Sequence, residues 1–100
     1  MEIKFVQYLR PDGRKREVAC DIPDDLEPNY KAIKAAGLEI ACEELMTGMV
    51  SITVSHEDGD FLMELGPNGP GPHSPKNNLQ KVIRDFDRAK FDEWLREIQS

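Results

Sequence analysis

His56-Glu57-Asp58-Gly59-Asp60 is the densest gathering of reactive side chains in the sequence, with one imidazole and three carboxylates in five residues. An imidazole beside carboxylates can move a proton or hold a metal, and oxygen ligands at alternate positions are what calcium loops use. A helix–loop–helix calcium site needs about twelve residues with helices on both sides. The flanks here have a different period. Val50, Ile52 and Val54 alternate with Ser51, Thr53 and Ser55 before the cluster, and Phe61, Met63 and Leu65 alternate after it. That pattern predicts two strands joined by a solvated Asp-Gly turn. A small metal-binding or hydrolytic protein using His56 and the nearby acids is the alternative reading.

The remaining reactive residues are sparse. His73 is the only other histidine, and Cys20 and Cys42 are the only cysteines. The cysteines form no Cys-x-x-Cys pair and fall at inward strand positions, where apolar burial makes a thiol inert. No Gly-x-Ser-x-Gly motif is present. The loop Gly66–Gly71 lacks the Lys-Ser/Thr that would follow a phosphate cradle. No catalytic, cofactor-binding or metal-ligating residue is assigned on these grounds, no cofactor is expected, and a non-enzymatic protein is expected.

Charge is distributed unevenly around a net value of −6. Arg10, Arg14, Lys15 and Arg16 surround a Pro11-Asp12-Gly13 turn, whereas residues 17–64 hold twelve acids against Lys31 and Lys34. An acidic chain argues against general nucleic-acid binding, which needs a basic face for phosphate. The basic cluster reads as the charged end of a two-stranded ribbon, which discourages edge pairing, or as a finger for an acidic partner. Glu39, Glu43, Glu44, Glu57, Asp58, Asp60 and Glu64 form an acidic tract that invites a second reading, an inhibitor imitating a nucleic-acid backbone. The residues singled out for partner contact are Arg10, Arg14, Lys15 and Arg16 at the ribbon tip, with Asn68 and His73 in the Pro/Gly loop.

These side chains need elements to position them. Glu2–Arg10 reads as a strand with apolar residues on both faces, suiting an inner place in a sheet. Arg14–Ile22 reads as its return. Asp24 or Asp25 is a candidate N-cap for a short helix with Leu26, Tyr30 and Ile33 at i, i+4 and i+7, closed by Gly37. Leu38–Glu43 alternates as a third strand, with Thr47-Gly48 at the following tip. The hairpin Met49–Leu65 comes next, its apolar residues expected to face the helices. Gly66–His73, rich in Pro and Gly, is expected to be irregular. Ser74 and Asp87 read as N-caps of two successive helices, with stripes Leu79, Val82, Ile83, Phe86 and Phe91, Trp94, Leu95, Ile98. The whole of residues 1–100 reads as a single α+β domain: a mainly antiparallel sheet of four or five strands, order ββαβββαα, with helices packed on one face.

Ile3–Arg16, Leu45–Ser51 and Asn68-Gly69-Pro70 together resemble a set of small uncharacterised proteins carried by phages and in prophage regions of bacterial genomes. The resemblance implies an accessory role in a bacterial or phage cytosolic setting and brings no activity, cofactor or catalytic residue with it. The absence of a leader pattern or a membrane-length apolar run leads to the same expectation of a cytoplasmic protein with reduced thiols. A protein partner is expected rather than nucleic acid or a membrane.

Overall fold

A computed structural model describes residues 1–9, 13–46, 48–69, 71 and 74–100 of the chain. The elements are β1 (Glu2–Tyr8), β2 (Lys15–Asp21), a short 3-10 turn (Asp24–Leu26), α1 (Glu27–Ala35), β3 (Glu39–Met46), β4 (Met49–His56), β5 (Gly59–Pro67), α2 (Pro75–Asp85) and α3 (Arg88–Gln99). The expected order ββαβββαα is the observed one. The five strands form one mixed, mostly antiparallel sheet in the spatial order β2-β1-β3-β4-β5. Among the described residues, the one parallel pair is β1 with β3. The chain leaves β2 on the outside, crosses through α1, and returns on the far side of β1.

Alternation decides which residues are covered. Ile3, Ile40, Cys42, Val50, Ile52 and Val54 project from one face of the sheet and join Leu26, Ile33, Leu79, Val82, Ile83, Phe86 and Phe91 in one buried cluster. All three helices therefore bury their apolar stripes against the same face, leaving the other face uncovered. The helix ends follow local rules. Ser74 Oγ accepts the Asn77 N–H at 3.4 Å, and Asp87 Oδ1 accepts from Ala89 and Lys90. Gly37 takes φ +77° after α1, the left-handed geometry in which a glycine closes a helix.

Three expectations need correcting. Neither Asp24 nor Asp25 caps a helix: the 3-10 turn starts after Pro23, α1 starts after Leu26, and neither start has a side-chain cap. Gly66 and Pro67 are not loop residues but the end of β5; Pro is tolerated there because β5 is an edge strand. The third correction concerns the hairpin. Val54 pairs with Leu62, yet the next residue, Ser55, pairs with Asp60. Phe61 is the extra residue of a β-bulge, so the regular alternation through Phe61, Met63 and Leu65 is broken. Phe61 and Leu62 both pack against the core. Met63 and Leu65 point the other way and are 55% and 50% exposed. The turn itself is Glu57-Asp58, because His56 already pairs with Gly59.

Candidate functional site

The uncovered face of the sheet collects most of what could recognise another molecule. Its composition follows from strand registry. One row across the sheet reads Glu17, Val6, Ala41, Thr53, Met63, and the next reads Lys15, Tyr8, Glu43, Ser51, Leu65. A third joins Glu39, Ser55 and Asp60, and a fourth joins Met46, Met49 and Pro67. Each of the first two rows begins with a charge on β2 and ends with an exposed apolar side chain on β5. Met46, 66% exposed, extends the apolar margin.

Between these margins lies a hollow of about 230 Å³. Its floor is Ala41, Thr53 and Ser55, whose side chains are too short to fill the space between the larger residues around them. Its rim is Tyr8, Glu39, Glu43 and Asp60. The Tyr8 hydroxyl donates to Glu39 Oε1 at 3.0 Å. That bond, followed by desolvation and the charges of Glu39 and Glu43, raises the phenol pKa above its ordinary 10.0. The hollow is thus a negatively charged depression with apolar side chains along one side. It suits a cationic group carried beside apolar ones. A larger hollow of about 420 Å³ lies between the end of β2 and α2. Its carboxylates Asp21 and Asp24 are already held by the Met1 ammonium at 3.1 and 2.7 Å.

The residues expected at a site are scattered relative to this face. Arg10 and His73 lie outside the described residues. Arg16 Nε and Nη2 donate to Gln7 Oε1 at 3.1 and 3.0 Å, so its guanidinium is tied to the neighbouring strand. The Lys15 ammonium sits 5.9 Å from the Tyr8 ring centroid. Arg14 accepts the Leu9 N–H through its backbone carbonyl at 2.6 Å. Asn68 is occupied through its backbone, donating to the Gly48 carbonyl at 2.8 Å. The ribbon tip and Asn68 therefore belong to separate parts of the molecule.

The acidic tract divides as well. Glu39, Glu43 and Asp60 share the uncovered face, Glu64 turns toward α2 and pairs with Lys81 at 3.0 Å, and Glu57 and Asp58 form the hairpin turn. They make no single row of the kind a nucleic-acid imitation would present.

His56, Glu57 and Asp58 do approach one another: ligand atoms from all three lie within 4.8 Å of each other. Two of the three already have partners within the protein. His56 Nδ1 accepts the Asp58 backbone N–H at 3.2 Å, and Asp58 Oδ2 accepts from Gln99 at 3.4 Å. The imidazole packs against Phe91 and Trp94, with centroids 5.9 and 6.2 Å away. This arrangement fastens the turn to α3. Cys42 is buried and desolvation raises its thiol pKa, so it makes a poor nucleophile; Cys20 is half-buried.

Sequence reasoning missed the apolar margin because it placed Met63 and Leu65 in the core. One signal was available: Leu62 interrupts the alternation, and an apolar pair at 61–62 beside Gly59-Asp60 is what a bulge after a tight turn produces. No family model matches the chain, and neither does any curated protein or solved structure. No helix among the described residues is long and apolar enough to cross a membrane.

Proposed function

We propose that this protein is a non-enzymatic interaction domain that binds a protein partner through the β3–β5 side of its uncovered sheet face. The carrying observation is the bulge at Phe61, which turns Met63 and Leu65 outward beside the acidic hollow. Large apolar side chains exposed together next to a charged rim are the usual anatomy of a binding patch. The hollow rim offers carboxylates and a phenol, a recognition set for cations. An accessory role agrees with what the resemblance to phage and prophage proteins implies.

The test is affinity capture from host extract with two baits, the native chain and a Met63→Lys/Leu65→Lys chain, compared by quantitative mass spectrometry. Both substitutions are at exposed positions, so the second bait keeps its fold, which circular dichroism verifies. A protein retained by the first bait and lost by the second supports the reading. Identical captured sets overturn it.

A further inference from the structure

We infer that β5 accepts an extended peptide segment of cationic and apolar character as a sixth strand of the sheet. The inference rests on the reading of the β3–β5 side as the binding surface and adds the mode of binding and the chemistry of the partner.

Three observations lead there. First, β5 is the terminal strand, and eight of its nine residues, all but the bulged Phe61, pair with β4 on one side only. Between the bulge and Pro67, the regular run Leu62–Gly66 offers, at roughly 3.3 Å per residue, about 17 Å of strand edge whose outward N–H and C=O groups are a template for another strand. Secondly, the two edges expose different side chains. On β2 the exposed side chains include Lys15, Arg16, Glu17 and Asp21, the charges that natural edges use against pairing. On β5 the exposed bare-face residues are Asp60, Met63, Leu65 and Pro67. Thirdly, charge selects the partner. Residues 57–67 hold Glu57, Asp58, Asp60 and Glu64 with no basic residue among them. A second copy pairing through β5 would bring two such acidic strands together, which electrostatic complementarity disfavours. A strand carrying Lys or Arg would relieve the same charge.

The register gives the pattern. A residue opposite Asp60 is cationic. Its long side chain can also reach toward the hollow, since Asp60 neighbours Ser55 and Ser55 neighbours Glu39. Residues opposite Met63 and Leu65 are apolar. The intervening side chains point toward the α2 side, where Glu64 and Lys81 are paired, and are polar. Main-chain hydrogen bonds supply affinity and the alternate side chains supply selectivity, the general logic of strand addition.

Selection of displayed random nonapeptides on the intact chain tests this. The winning sequence is then synthesised and added to isotope-labelled protein. The expected winners carry a Lys or Arg and two apolar residues on one face of a strand with polar residues between them, slow exchange of β5 amides about tenfold or more, and bind about tenfold more weakly to an Asp60→Asn/Met63→Lys chain. Glu17→Gln at the far edge changes binding by less than about twofold. Acidic winners, winners with helical spacing, no winners, or dimerisation through β5 overturn the inference. Chemical shifts across the uncovered face without slowed β5 exchange overturn strand addition alone. Winners indifferent to both Met63→Lys and Leu65→Lys overturn strand addition, and identical capture by the two baits separately overturns the broader reading.

Discussion

β2 closes one side of the sheet and β5 the other, and they are built in opposite ways. β2 reads Lys-Arg-Glu-Val-Ala-Cys-Asp: its exposed side chains are mostly charged, and Cys20 is what it packs against the core cluster. β5 is braced from within. Phe61 lies 5.3 Å from Phe91, 5.5 Å from Trp94 and 6.1 Å from Phe86, ring centroid to ring centroid. Outside, the same strand exposes Met63 and Leu65. Firm anchorage from one side with apolar exposure on the other is the combination expected of a surface that must stay in place while a partner docks. The β2 edge has the charge pattern of a surface that is to be left alone.

The largest effect that can break this comparison comes from the anchorage. Phe91 is 1% exposed and touches Phe61, Phe86, Trp94 and His56. Phe91→Ala is expected to cost about 3–5 kcal/mol in chemical denaturation, the range for a large aromatic removed from a core. Val18→Ala on β2, half-buried, is expected to cost about 1 kcal/mol. Equal costs would mean that β5 is held no more firmly than β2.

Trp94 sharpens the same point at a lower magnitude. Its ring packs over Gly59, where an added Cβ would lie 3.5 Å from Trp94 Cζ2, and it stacks on Phe91 at 5.8 Å. Because the ring is half-buried, Trp94→Ala is expected to cost about 2 kcal/mol, below the core range. A cost near zero would detach α3 from the hairpin turn and leave β5 unbraced at its start.

The outer surfaces should respond through association, with little change in folding. Met63→Lys and Leu65→Lys each remove an exposed apolar side chain, so unfolding free energy is expected to move by less than about 0.5 kcal/mol. Self-association at high concentration, followed by light scattering, is expected to stay as low as in the native chain, whose acidic β5 edges do not pair with one another. The inverse experiment on the other edge, Lys15→Val/Glu17→Val, is expected to raise it. No difference between the two pairs of variants would erase the contrast between the edges.

Much of this contrast was written in local pattern, and the rest was not. The strands around Val50–Val54, the helical stripes Leu79–Phe86 and Phe91–Leu95, and the caps at Ser74 and Asp87 depend on residues within a few positions of one another. Short-range chemistry specifies them. The pairing of β1 with β3 depends on residues 35 positions apart, as in Val6 with Ala41, and no local spacing records it. The bulge is an intermediate case. Period-2 alternation at Phe61, Met63 and Leu65 is intact as text, and burying Met63 and Leu65 would gain about 1.5–3 kcal/mol each. The chain instead places Phe61 and Leu62 side by side on the core and brings Glu64 to Lys81. Competition between two apolar sets cannot be decided until the helix opposite them is in place. The candidate site was hidden for the same reason: its acids were visible, but their division between two faces follows from register.

The smallest expected effect tests the hollow directly. The Tyr8 phenol is raised first by its hydrogen bond to Glu39, then by desolvation and the nearby carboxylates. A phenol whose pKa is higher folded than unfolded binds more protons in the folded state between the two values. Its contribution to stability is therefore fully present below the unfolded value of 10.0 and is lost as pH rises through the folded value. Absorbance titration of the folded chain should show Tyr8 ionising above its ordinary value. Glu39→Gln keeps the side-chain shape, removes the charge, and should lower the Tyr8 value. A cationic peptide seated in the hollow should do the same by drawing the carboxylate's charge to itself. If Glu39→Gln leaves the titration unaltered, the rim does not hold Tyr8 as described, and the charge asymmetry between the two sides of the uncovered face loses its best-defined member.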